Sequence, residues 1–178
     1  MRGCAGSTAP DTSRNGTFRK RRPASSSLAL GKGKDNPKGQ NLTIQIESVS
    51  LEDAQRVIAA GMEKAREIGQ PQNVAVVDAG GNLVSHVRMD GAWIGSVDIS
   101  INKAFTARAF DIPTKDLAEN SQPGEQFYGI ASSNEGRVMI FAGGIPLQRD
   151  GKIVGAVGVS GGTGEQDLTV AEAAAAAL

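Results

Sequence analysis

The sequence predicts an α+β domain, built on an antiparallel sheet of about five strands with helices packed mainly on one face. Three observations predict it. Two pairs of apolar runs are joined by compact turns, Ala79-Gly80-Gly81-Asn82 and Asp150-Gly151; Asp-Gly is a strong hairpin signal because a two-residue turn needs positive φ. Around these hairpins lie segments whose apolar residues recur at three- and four-residue spacing, the period of a helix. The resulting order, strand, helix, hairpin, helix, irregular helical segment, hairpin, helix, needs an antiparallel sheet and disfavours a doubly wound parallel one.

The first forty residues stand apart. They hold nine Lys/Arg and two Asp, net +7, which leaves ten basic and 17 acidic residues, net −7, in the remainder. Rich in Ser and Gly and without apolar periodicity, residues 1–40 are expected to be a disordered tail, with the folded domain over 41–178. Such a basic, Ser-rich composition suits a transit peptide, and Arg19, Lys20, Arg21 and Arg22 suit a nucleic-acid-binding arm; a plainly solvated tail is the bland reading. No apolar stretch of 7 to 15 residues supplies a secretory signal.

From Leu42 the texture changes. The run LTIQI, residues 42–46, alternates as an edge strand does, and Ser50 followed by Asp53 forms a capping-box pattern opening a helix through about Ile68, where Gly69 stops it. Leu51, Ala54, Val57, Ile58, Met62, Ala65 and Ile68 give that helix one apolar face, read as core. The first hairpin follows in NVAVVDAGGNLVSHVRMDGA. A second helix is expected from Ile94 to Phe110, with Val97, Ile101, Ala104, Phe105 and Ala109 on its buried side and Asp111 and Pro113 ending it. Thr114 is placed to cap a short helix through Asn120, and Pro123-Gly124 turns the chain toward Tyr128 and Ile130. Strands resume at Arg137. The closing helix, Glu165 to Leu178, is rich in alanine, which favours helix and close packing against a neighbour.

Composition excludes several chemistries. Aromatics at 4% leave few stacking platforms, which argues against nucleic acid as a partner. One cysteine, Cys4, and one histidine, His86, leave no disulfide within a chain and no Cys/His zinc site. No apolar run approaches the roughly 20 residues of a membrane span. The expectation is a soluble protein, cytoplasmic, or organellar if the tail is a transit peptide.

The candidate site residues gather around the two hairpins. Gly161-Gly162-Thr163-Gly164 precedes a helix, where backbone N–H groups bind anions. Neither a Walker nor a Rossmann pattern surrounds it, and Glu165 and Asp167 already fill the positive end of the helix dipole, so capping and close packing is the favoured reading. With Gly143 and Gly144 upstream, the block is expected to shape one wall of a site. Arg88-Met89-Asp90-Gly91 ends a strand, and Lys103 lies in the next helix. Arg88, Asp90 and Lys103 together suit a carboxylate or propionate ligand; an ion-pair network fixing helix to sheet is the alternative. His86 stands alone in a strand, which more often means a structural role than a catalytic one.

The blocks VAVVDAGGNLVSHVRMDGA, SVDISINKAFTARAF and FAGGIPLQRDGKIVGAVGVSGGTGEQD, in this order, resemble the GlcG/HbpS-type family, which also occurs as the C-terminal domain of PduO-type proteins. The resemblance covers Val49 to Leu178. It implies a profilin- or PAS-like α+β domain that assembles into homodimers or larger oligomers such as octamers, and it implies haem as the ligand. Where family members ligate haem through a histidine of the first helix, Leu51 to Ile68 of this chain has none, leaving His86, Met89 and Tyr128 as possible haem contacts. The leading expectation is therefore a protein that binds haem or a related tetrapyrrole, with Arg88 and Lys103 on propionates. The alternatives are an enzyme or enzyme accessory for a small hydroxy acid, with Arg88 as clamp and Asp90 or Lys103 moving a proton, and a structural oligomeric module without catalysis.

Overall fold

The computed structural model describes residues 43–178. The basic tail expected over 1–40, with Cys4, and the first residue of the strand expected over 42–46 lie outside the described residues.

Helix α1 runs Leu51–Glu67 and begins on the expected capping box: Asp53 N–H donates to Ser50 Oγ and Ser50 N–H to Asp53 Oδ2, each at 3.1 Å. The chain then forms β1 (Asn73–Asp78), β2 (Leu83–Arg88), α2 (Ser96–Phe110), α3 (Thr114–Glu119), two 3₁₀ turns (Ile130–Ser132 and Asn134–Gly136), β3 (Gly144–Arg149), β4 (Lys152–Ser160) and α4 (Gly164–Ala175). The four strands make one antiparallel sheet in the order β2-β1-β4-β3. Asp150 at φ +50 and Gly151 at φ +74 make the tight turn between β3 and β4.

Two cores lie on opposite faces of the sheet. On one, Val74, Val76, Val157 and Val159 meet Ala54, Val57, Ile58 and Ala65 of α1 and Val170, Ala171 and Ala174 of α4. A fully buried valine contributes roughly 1.5–3 kcal/mol, so this face carries most of the apolar stabilisation. The alanines of α4 pack within the chain against α1: a Cβ at Gly61 would stand 3.3 Å from Ala174 Cβ. On the other face, Ala75, Val77 and Ala156 meet Ala104 and Ala107 of α2. Placement mainly on one face thus holds for α1 and α4, and α2 covers the second. With both faces covered, β1 reads as a continuous apolar run because alternation is lost when both sides are buried.

The contact with α2 is very close. A Cβ at Gly158 would lie 2.1 Å from Ser100 O and 2.4 Å from the Ala104 nitrogen, so only glycine lets the helix backbone rest on β4. That explains a departure from the sequence reading. The buried side of α2 is small and polar, with Ser96, Ser100, Asn102, Lys103, Ala104, Thr106 and Ala107 inside, while Val97, Ile101 and Phe105 are half-buried and Ala109 is exposed.

Three further expectations are corrected. Residues 43–46 form no strand among the described residues, which leaves four strands in the sheet. The strand expected from Arg137 begins only at Gly144: Met139 N–H donates to Thr106 Oγ1 at 2.9 Å and the Arg137 guanidinium stacks on Phe105 at 3.7 Å, so α2 side chains hold 137–141 away from the ladder. Thr114 does not cap α3. Pro113 holds the cap position, and Thr114 Oγ1 accepts instead from Gly144 N–H at 2.9 Å.

Candidate functional site

Arg88 is the last residue of β2, and the chain turns immediately beyond it. Met89 N–H donates to Gln72 O and Ala92 N–H to Met89 O, both at 3.0 Å, which folds Met89 and Asp90 back beside α1. There α1 presents Met62 and Arg66, four residues apart and therefore on one side of the helix. Together Met62, Arg66, Val87, Arg88, Met89 and Asp90 line an open cleft of ≈ 310 Å³. Its floor is apolar, since Met62, Val87 and Met89 are half-buried extensions of the α1/α4 core. At its rim Arg66 and Arg88 are exposed, and neither has an ion-pair partner among the described residues. Two unpaired guanidinium groups over an apolar floor suit a ligand with an apolar body and carboxylate substituents. Arg66 and Met62 were invisible as site residues in the sequence, because only the fold lays the end of α1 beside the end of β2.

Lys103 is not part of this cleft. Its side chain is fully buried, with Nζ 2.7 Å from Asp167 Oδ2 and 2.9 Å from Val159 O and the ammonium 4.7 Å from the Phe141 ring centre. Burial pulls its pKa below the ordinary lysine value while the Asp167 carboxylate opposes that shift. No propionate or substrate proton reaches it. Lys103 thus takes its ion pair from Asp167 of α4, and neither Arg88 nor Asp90 joins it among the described residues.

The glycine block is likewise internal. Asp167 Oδ1 accepts from Gly162 N–H at 2.9 Å, so the carboxylate that holds Lys103 also occupies the anion position of the loop. Thr163 caps α4 in a reciprocal box with Gln166. A Cβ at Gly143 would meet Val159 O at 2.6 Å and Lys103 Nζ at 2.9 Å; at Gly144, Thr114 Cγ2 at 2.5 Å and Lys103 O at 2.6 Å; at Gly161, Gln72 Oε1 and Pro71 O at 2.7 Å. These glycines serve close packing, and the first turn of α4 leaves no opening for a phosphate. Outside them, Lys115, Ala142, Gly164, Glu165 and Leu168 line a second cleft of ≈ 400 Å³ with a single cation.

His86 pairs across the ladder with Ala75, which puts it on the α2 face of the edge strand. Its Nε2 is buried with no hydrogen-bond partner among the described residues, and burial lowers its pKa. It does not line the Arg66/Arg88 cleft. Tyr128 is an exposed residue of the loop after α3 and does not line it either, so of the three expected haem contacts only Met89 does. Asp90 stands at the rim with Arg88. Among the described residues no helix is long and apolar enough to cross a membrane, and no three His, Cys, Asp or Glu side chains are grouped to hold a metal ion.

Residues 49–176 match the family described as haem degrading protein HbpS-like. An uncharacterized 15.0 kDa protein of the dhaT-dhaS intergenic region of Citrobacter freundii is 45% identical over 134 residues, which span 75% of this chain and 94% of that one. The corrinoid adenosyltransferase PduO of Salmonella typhimurium is 37% identical over 131 residues; the match takes in 74% of this chain but only 39% of that enzyme. Among solved structures, a PduOC:heme complex superposes with a TM-score of 0.71 at 37% identity, covering 74% of this chain and 95% of that one. With the family match spanning residues 49–176 and a relative 45% identical over 94% of its own length, the chain belongs to the HbpS-like family of haem degrading proteins.

Proposed function

We propose that this chain binds haem or a closely related tetrapyrrole in the cleft between the end of α1 and the end of β2. The observation that carries the reading is the pair of unpaired guanidinium groups, Arg66 and Arg88, above the apolar floor of Met62, Val87 and Met89. The donor set fits the ligand: the two arginines would hold propionates through charge-assisted bonds, and the floor would take an apolar edge of the macrocycle. Met89 adds a thioether, a soft neutral donor of the kind that serves haem iron elsewhere. When bound, haem would supply the iron and its redox chemistry; the chain's own residues would orient it and shield one edge. Membership in a haem degrading family and the likeness to a haem complex support this ligand over a small hydroxy acid. The acid-processing alternative has also lost Lys103 as a proton carrier, because that side chain is sealed in an ion pair.

Titrating haemin into the protein, with a corrinoid in a parallel arm, is the test. Saturable binding with a shifted Soret band is the expected result. Absence of any saturable spectral change overturns the ligand, and binding unaffected by loss of both arginines overturns the site.

A further inference from the structure

We infer that the cleft between the starts of α3 and α4 binds a small zwitterion with an apolar body, of the class of free apolar amino acids. Lys115, Ala142, Gly164, Glu165 and Leu168 line this space of ≈ 400 Å³, which shares no residue with the Arg66/Arg88 cleft. A volume of that size is typical of small-molecule sites. Its floor is apolar, with Ala142 and Leu168 half-buried. Gly164 leaves that floor uncovered, since a Cβ there would stand 3.7 Å from Ala142 Cβ.

One charge of each sign stands over the floor. Lys115 is exposed in the first turn of α3 and Glu165 in the first turn of α4. Although both line one cleft, neither makes an ion pair among the described residues. The lysine is free to take a carboxylate and the glutamate an ammonium, each through charge-assisted hydrogen bonds. The pairing of signs decides the ligand class. A ligand with a carboxylate alone would meet Lys115 and be repelled by Glu165, and one with an ammonium alone would meet the reverse. A molecule carrying both groups satisfies both side chains, while its apolar body removes Ala142 and Leu168 from water.

The frame of the cleft is fixed before any ligand arrives. Thr114 Oγ1, beside Lys115, accepts from Gly144 N–H at 2.9 Å and fastens the start of α3 to the start of β3. Gly143 O accepts from Val159 N–H at 2.8 Å, and a Cβ at Gly143 would meet Lys103 Nζ at 2.9 Å and Asp167 Cβ at 3.0 Å. The segment that carries Ala142 therefore rests on the buried Lys103–Asp167 pair. Thr163 and Gln166 hold the first turn of α4 in their capping box. Both charged side chains thus project from anchored backbone, which lowers the cost of ordering the site on binding.

Isothermal titration calorimetry of the full chain with L-leucine and with L-phenylalanine tests the inference. Parallel arms use isocaproate, which is leucine without its ammonium, and isoamylamine, which is leucine without its carboxylate. At least one amino acid is expected to bind saturably with a Kd below about 1 mM, and each single-charge analogue at least about tenfold more weakly. Lys115→Gln and Glu165→Gln replace exposed side chains, and each is expected to weaken amino-acid binding at least about tenfold. In the wild type, the bound amino acid is expected to slow hydrogen exchange at Lys115 and residues 164–168. Absence of saturable binding by both amino acids overturns the inference. So does an analogue that binds as tightly as the amino acid, which would mean a site for one charge only. Binding unchanged in both variants, or exchange unchanged at all of those amides, would place the ligand elsewhere and overturn it too. No arm contains haemin, so a negative result here leaves the tetrapyrrole reading standing.

Discussion

The Lys103 ammonium and the Asp167 carboxylate lie 2.7 Å apart with side-chain exposures of 0% and 4%, and this pair ties α2 to the start of α4 across the end of β4. Its partners are complete on both sides, with Val159 O accepting from the lysine and Gly162 N–H donating to the aspartate. Removing one member leaves an uncompensated charge in the interior. Lys103→Ala is therefore expected to destabilise the domain by about 3–5 kcal/mol in urea denaturation. Joint replacement, Lys103→Met with Asp167→Asn, is expected to cost less than the single change. A single variant within 1 kcal/mol of wild type would show that water reaches the pair.

Gly158→Ala should be damaging for a different reason. The new methyl would stand 2.1 Å from Ser100 O and 2.4 Å from the Ala104 nitrogen, both backbone atoms of α2 that cannot rotate away. Overpacking of this kind costs about 1–3 kcal/mol, more where backbone must move. Thermal unfolding should show a clearly lowered Tm, with α2 losing hydrogen-exchange protection first. Gly69→Ala provides the comparison, since no atom lies within 4 Å of the methyl there and only the left-handed φ of +69° opposes it.

Arg66→Ala and Arg88→Ala should each weaken haemin binding about tenfold or more, since a bond to a charged group is worth roughly 1.5–3 kcal/mol. Arg→Lys at either position should restore part of the affinity. A folded variant at Tyr128, which lies outside the cleft, should bind as wild type; loss of binding there would relocate the site.

Two side chains should give the stability separate pH windows. His86 has its pKa lowered by burial, so below its ordinary value of 6.5 the unfolded chain takes up a proton that the folded chain resists. Stability should fall as the pH drops through that window, and His86→Gln should flatten the slope. Asp53 has its carboxyl held far below the ordinary 3.8 by Arg149 first, then by the Ser50 amide and hydroxyl and Arg56, against the opposing effect of burial. Its contribution is complete above the ordinary value and is lost at more acid pH. Denaturant midpoints across pH 3 to 8 in wild type, His86→Gln and Asp53→Asn should separate the two; identical profiles for wild type and His86→Gln would rule out the histidine's part.

What the sequence alone determined is what short-range physics controls. The capping box of Ser50 and Asp53, the Asp150-Gly151 turn, the Thr163 end of α4 and the apolar face of α1 each depend on residues within four positions of one another, and each is present. Arg88, Met89 and Asp90 were legible as candidates because charges at a strand end face open space, and all three line one cleft. Tertiary structure decided the rest. Arg66 joined Arg88 only because α1 and β2 end side by side, and nothing in either segment encodes that meeting. Lys103 reads as a surface cation on its helix, but α2 lies so close to Gly158 that the side chain has only the interior to enter, where Asp167, 64 residues on, makes the charge tolerable. The strand-like run from Arg137 was held out of the sheet by Thr106 and Phe105. In each case a contact distant in sequence outweighed the local preference, because burial and charge pairing are worth more than the tenths of a kcal/mol that separate one backbone propensity from another.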